Sequence, residues 1–180
     1  MIKLGIIGTG SISHEFIKAA HSTGDYQLVA AYSRTLASAE RFVQNYENTA
    51  VYTEMLDFLS SDIDVVYIAS PNSLHFNHAK VAILARKHVI VEKPAVSRPK
   101  EWRELVKLAD EHQVYLFEAA RNYHEQAFGT ISDFLKDKTV LGANFTYAKY
   151  SSKMQALLAG EQPNVFSAKF SGGALMDLGV

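Results

Sequence analysis

The chain contains no cysteine. That excludes a disulfide framework, a thiolate zinc site, an iron–sulfur cluster and a cysteine nucleophile. Neither sign of charge dominates: 18 Lys and Arg against 19 Asp and Glu leave a formal net charge of −1. Such a balance sets out no surface for nucleic acid or membrane, so any bound anion must be held by local geometry. No apolar run is long enough to span a bilayer. The opening Met1-Ile2-Lys3-Leu4-Gly5 has no basic stretch leading into a long apolar region, which predicts no signal peptide and a cytoplasmic protein. The sequon Asn144-Phe145-Thr146 means little in that setting. Internal repeats and low-complexity segments are also lacking.

What is present suits a packed core. Of 180 residues, 48% are apolar and 21% charged, the ordinary balance of a globular protein. Strand-like and helix-like stretches alternate. Strands are expected at Ile2–Ile7, Tyr26–Tyr32, Thr49–Tyr52, Asp64–Ala69, His88–Val91 and Val114–Phe117. Helices are expected at Ser11–His21, Leu36–Gln44, Glu54–Leu59, Ser73–Arg86 and Pro99–His112. Asp64–Ala69 and His88–Val91 are apolar almost throughout, as in a parallel sheet covered on both faces. Strands separated by helices predict an α/β fold: a doubly wound parallel sheet over residues 1–120 with right-handed crossovers.

The pattern changes after residue 120. Phe128–Leu135 predicts a helix, Val140–Tyr150 a long strand, and Ser171 onward a turn into another helix. These do not make a core. Residues 121–180 read as the incomplete beginning of a second domain.

Gly8-Thr9-Gly10-Ser11-Ile12-Ser13 follows the first strand and opens a helix. It varies the Gly-x-Gly-x-x-Gly phosphate turn, with Ser13 in the third glycine position. Gly8 allows the tight turn, Gly10 lets a pyrophosphate approach the backbone, and the third position needs a small residue for close packing. Amides at the helix N-terminus then meet the anion. Gly8, Thr9, Gly10, Ser11 and Ile12 are thus candidate dinucleotide contacts. The second strand ends Tyr32-Ser33-Arg34-Thr35, without the acid that usually holds an NAD ribose. Ser33 and Arg34 are the candidates there. An arginine can pair with a 2′-phosphate, so NADP is preferred over NAD. The plain alternative is a solvated arginine at a helix start.

Ligands in open α/β sheets bind beyond the carboxyl ends of the strands. Ser70-Pro71-Asn72-Ser73-Leu74-His75, Glu92-Lys93-Pro94 and Glu118-Ala119-Ala120-Arg121 fall there. Lys93 follows an apolar strand and precedes a proline that restrains the backbone. Its ammonium suits a hydrogen bond to a substrate oxygen, and proton transfer. The structural alternative is a surface pair with Glu92. His75 and His78 lie three apart, but no third ligand is spaced to join them, so no metal is read. His75 is assigned instead to support of the cofactor site, and His78 to an ordinary helix position.

Taken in order, Gly8-x-Gly10, Pro71-Asn72-x-x-His75, Glu92-Lys93-Pro94 and Gly172-Gly173-Ala174-Leu175-Met176-Asp177-Leu178-Gly179 resemble the Gfo/Idh/MocA oxidoreductases. The resemblance covers the whole chain. It implies a Rossmann domain followed by an α+β domain with a mostly antiparallel sheet, through which members form dimers or tetramers. It implies NAD(P)-dependent oxidation of a sugar or polyol hydroxyl, or reduction of the matching carbonyl. Lys93 and Asp177 match the family's catalytic lysine and aspartate. Asn72, His75 and Glu92 match residues lining the cofactor site. Lys93 sits by the nicotinamide and substrate on this resemblance, and Ser70, at the end of the fourth strand, is a further candidate cofactor contact. Pro94 matches a loop-shaping proline. The usual catalytic histidine, tyrosine in some branches, would be the residue after Val180. One stretch departs: Glu118-Ala119-Ala120-Arg121-Asn122-Tyr123-His124 replaces the common Glu-Ala-x-x-x-Arg-Phe. Arg121, Tyr123 and His124 are therefore the candidate substrate residues, for a substrate left open. Two rivals remain: a non-catalytic NAD(P)-binding regulator or scaffold, which would leave Lys93 and Asp177 without a task, and an adenosylmethionine-dependent methyltransferase, which leaves Glu92-Lys93-Pro94 unexplained.

Overall fold

The computed structural model describes residues 1–148 and 150–179. Six parallel strands form one sheet: β1 (Ile2–Ile7), β2 (Tyr26–Tyr32), β3 (Ala50–Tyr52), β4 (Val65–Ile68), β5 (His88–Glu92) and β6 (Leu116–Ala119). Their order is β3-β2-β1-β4-β5-β6, so strand order reverses between β1 and β4. This is the Rossmann arrangement, and its switch point is where a dinucleotide crosses the sheet.

Side-chain alternation along the strands separates two apolar layers. Leu4 and Ile6 of β1 and Val65 and Tyr67 of β4 pack with Ile17 and Ala20 of α1 (Ser11–Ser22) and Phe42 of α2 (Leu36–Val43). Ile7, Val66 and Ile68 face the other way. They join Phe58 of α3 (Met55–Ser60), Ala79 and Ile83 of α4 (Asn72–Leu84) and Leu105 of α5 (Pro99–His112). All four residues of β4 are buried, as the continuous apolar run predicts.

Two expectations need correction. The sixth strand begins two residues later than expected, at Leu116. Gln113 caps α5 in the left-handed conformation (φ 57°), and the chain turns before pairing with β5. No strand forms among the described residues of 140–150. A lone strand there has no neighbour to take its N–H and C=O groups, so the long strand is not made. Lys149 of that expected strand, and Val180 of the expected final helix, lie outside the described residues. Residues 126–179 give α6 (Gln126–Leu135), α7 (Met154–Leu158) and α8 (Ala174–Leu178), with short 3₁₀ turns between; α6 and α8 meet the expected helices. Among the described residues no antiparallel sheet appears, and no helix is long and apolar enough to cross a membrane.

Candidate active site

A cavity of about 910 Å³ lies beyond the carboxyl ends of β1, β2 and β4. That is room for a large organic ligand. Its floor is the turn Gly8–Ile12, one side holds Tyr32, Ser33 and Arg34, and the other holds Ser70, Pro71 and Asn72. Nine of the residues read as cofactor contacts therefore line one cavity: Gly8, Thr9, Gly10, Ser11, Ile12, Ser33, Arg34, Ser70 and Asn72; His75, Glu92 and Lys93 do not line it.

The two turn glycines do different work. Gly8 sits at φ +107°, and a Cβ there would lie 2.4 Å from the Ala69 carbonyl oxygen. The close approach of this turn to the chain leaving β4 thus demands glycine. Gly10 has an ordinary φ of −85° as the N-cap of α1, and a Cβ there would meet nothing within 4 Å. The fold does not need glycine at 10, and the space over its backbone is open to a ligand. Ser13 explains the missing third glycine. It is fully buried, and its hydroxyl donates to the Gly8 carbonyl at 2.8 Å, closing the turn from inside. The arrangement accepts a diphosphate: backbone amides at a helix start, open space over Gly10, and Arg34 exposed at the rim.

The loop after β5 is held from three sides. The Lys93 backbone N–H donates to Glu92 Oε2 at 3.2 Å, Pro94 O accepts from His75 Nδ1 at 2.8 Å, and the Ala95 N–H donates to Glu118 Oε1 at 2.8 Å. The Lys93–Pro94 peptide is cis. Glu92 is further held by the Tyr67 hydroxyl, which donates to Oε1 at 2.6 Å. Tyr67 is fully buried and stacks on Phe16 of α1 at 3.7 Å. Burial, with the Glu92 carboxylate beside it, raises the Tyr67 phenol far above its usual range. Sequence reading missed Tyr67. The signal was a tyrosine in an otherwise aliphatic buried strand, whose hydroxyl needs a partner.

So supported, Lys93 does not pair with the Glu92 carboxylate. Its Nζ donates to the Asp177 carbonyl at 2.5 Å and to Asp177 Oδ1 at 3.1 Å. Lys93 and Asp177, 84 residues apart, thus meet; Asp177 lines the cavity, and Lys93 reaches it only through this contact. The turn before α8 is docked by Asn72 Nδ2, donating to Ser171 O at 3.1 Å, and by Ser97 Oγ on Ser171 Oγ at 2.7 Å. Residues 153–165 add Lys153, Glu161 and Asn164 to the wall, a contribution that their lack of periodicity concealed.

Other candidates stand elsewhere. His75 is 1% exposed and lies behind the wall, not on it. Arg121, Tyr123 and His124 occupy an exposed 3₁₀ turn away from the cavity. Arg121 pairs with Glu125 at 3.5 Å and Tyr123 leans on Phe128.

His78, read from sequence as an ordinary helix residue, lines the cavity, and its Nδ1 meets Ser70 Oγ at 2.9 Å. Burial, then the positive charges of His75 and Arg34, push it down from 6.5 to about 4. The unfolded chain takes up this proton near 6.5 and the folded chain only near 4. Stability is therefore full above that window and falls as pH drops through it, by at most about 3 kcal/mol. Urea denaturation at pH 7.5, 5.5 and 4.5 checks this: His78→Gln should flatten the acid-side loss relative to wild type.

With a Rossmann sheet, an open phosphate turn and a lysine–aspartate pair in place, comparison with known proteins is decisive. Residues 2–120 match the GFO_IDH_MocA model, described as an oxidoreductase family with an NAD-binding Rossmann fold. The chain belongs to the Gfo/Idh/MocA family. It is 40% identical to the uncharacterized oxidoreductase YgjR of Escherichia coli, over 99% of this chain and 55% of that protein. It is 36% identical to the NADP-dependent scyllo-inositol 2-dehydrogenase IolU of Bacillus subtilis, over 100% of this chain and 56% of that one. Among solved structures, a 3-ketoreductase from Actinomadura kijaniata in complex with NADP and TDP-benzene superposes with a TM-score of 0.71 at 26% identity. It covers 76% of this chain and 42% of its own. The chain spans about 55% of the length of the curated Gfo/Idh/MocA relatives it matches.

Proposed function

We propose that the protein of which this chain is part is an NAD(P)-dependent dehydrogenase or reductase acting on a sugar, polyol or related hydroxyl or carbonyl. The observation that carries this reading is the contact of Lys93 with Asp177, which lines the same cavity as the turn Gly8–Ile12. Bound there, a nicotinamide dinucleotide supplies a hydride acceptor or donor. The chain's own groups do the rest. Amides at the start of α1 hold the diphosphate, and Ser33, Arg34 and His78 surround the adenosine end. The ammonium of Lys93, oriented by Asp177, hydrogen-bonds the reacting oxygen and handles its proton. Asn72 anchors the turn that brings Asp177 in. Residues 121–180 are read as the opening of the substrate and oligomerisation domain, and the full-length protein as a dimer or tetramer.

NADP is the preferred cofactor on this reading. Arg34 lines the cavity at the end of β2, where Ser33 stands in place of an acid. The test is fluorescence titration of the chain with NADPH and NADH. Arg34→Ala is expected to weaken NADPH binding roughly tenfold or more while changing NADH little, one charge-assisted contact being lost. Absence of binding of either nucleotide would remove the oxidoreductase reading. Equal losses for both would remove the NADP preference alone.

A further inference from the structure

Behind the cavity wall lies a group with no assigned chemistry. His75 stands in the first turns of α4, and each of its ring nitrogens faces a backbone carbonyl oxygen. Nδ1 is 2.8 Å from Pro94 O, and Nε2 is 2.7 Å from Ser70 O. Those carbonyls belong to the two loops that build the site, one after β4 and one after β5. Carbonyl oxygens only accept, and a neutral imidazole has one N–H. At these distances a neutral ring would press a lone pair against one oxygen. A proton on each nitrogen satisfies both bonds, and charge-assisted bonds of this kind are the stronger ones.

We propose that His75 is held as an imidazolium strap between the Ser70 and Pro94 carbonyls, and that it is a positioning residue for Lys93. The positioning role rests on the oxidoreductase reading; the strap itself does not. The two bonds leave opposite sides of one rigid ring, so the ring sets the distance between the cofactor loop and the Lys93 loop. At 1% exposure no solvent competes for either carbonyl. The N-terminal end of α4 opposes a cation there, and the two carbonyl dipoles offset it. The groups facing the ring are Ser70 and Pro94 on the loops and His78 one turn along the helix; among the described residues no carboxylate bonds to it.

Long-range ¹H–¹⁵N spectra of the wild-type chain at pH 7.5 provide the first test. Both His75 ring nitrogens are expected to show protonated shifts; one bare nitrogen overturns the strap. The second test uses His75→Gln, which keeps one donor but no charge. The His78 titration midpoint should move upward in that variant, and an unmoved midpoint overturns the charge. In the full-length enzyme the same substitution should lower kcat roughly tenfold to a hundredfold through misplacement of Lys93, with a smaller change in KM. Normal kcat in folded His75→Gln overturns the positioning role. Should the variant not fold, the wild-type spectrum still decides the strap. Should the full-length protein show no turnover, the functional reading falls and the strap is judged on the spectrum alone.

Discussion

Lys93→Met in the full-length protein is expected to lower kcat by about 10²- to 10⁴-fold, the range for loss of a positioned proton-transfer group. Methionine keeps the length and packing of the side chain but offers no donor. The lysine's ammonium is part-buried and committed to Asp177, so it is already oriented beside a residue that lines the cavity. Cofactor affinity should change little, because the turn proposed to hold the diphosphate, Gly8–Ile12, follows a different strand. Asp177→Asn should cost a similar amount, and the double variant less than the product of the two, since the residues act as a unit. Steady-state turnover on a panel of polyols and keto sugars, beside cofactor Kd, measures both quantities. Near-normal turnover in Lys93→Met would take the lysine out of the mechanism.

The next largest effect separates the two glycines of the phosphate turn. Gly8→Ala should destabilise the chain by roughly 3 kcal/mol or more, because a positive φ and a collision with backbone add. The Ala69 carbonyl at 2.4 Å cannot move without shifting β1 against β4. Gly10→Ala should cost under about 1 kcal/mol, the price of a poorer N-cap. Its methyl group would stand in the open space proposed for the diphosphate. NADPH affinity should therefore fall by about 100-fold, near 2.7 kcal/mol. Thermal unfolding and fluorescence titration read the two effects separately. A Gly10→Ala chain binding NADPH as tightly as wild type would show that the ligand does not approach there.

Much of this was legible in the residue order. The β1-turn-α1 unit is local: apolar run, glycine turn and helix follow one another within 22 residues. Steric and hydrogen-bonding rules act on such neighbours directly, so Gly8, Gly10 and the cofactor class could be read from the string. The long strands β1, β2 and β5 came out within a residue for the same reason, since side-chain alternation and burial pattern are local properties. Where a strand depends on a partner, reading failed: residues 140–148 carry a strand-like pattern but pair with nothing described.

Contacts between distant segments were not legible. Lys93 and Asp177 each look plausible alone, but their pairing needs the turn at Ser171 docked on Asn72 and Ser97. Tyr67 reads as core until Glu92, on the neighbouring strand, takes its hydroxyl. His75 and His78 share one helix and the same side-chain chemistry. One is enclosed by two carbonyls and the other faces the cavity, because different loops fold over them. Residue order thus specified the sheet, the turn and the kind of ligand, through forces that reach only a few residues along the chain. Which ammonium meets which carboxylate, and which ring nitrogen is enclosed, arose from crossovers that bring far-separated loops to one end of the sheet.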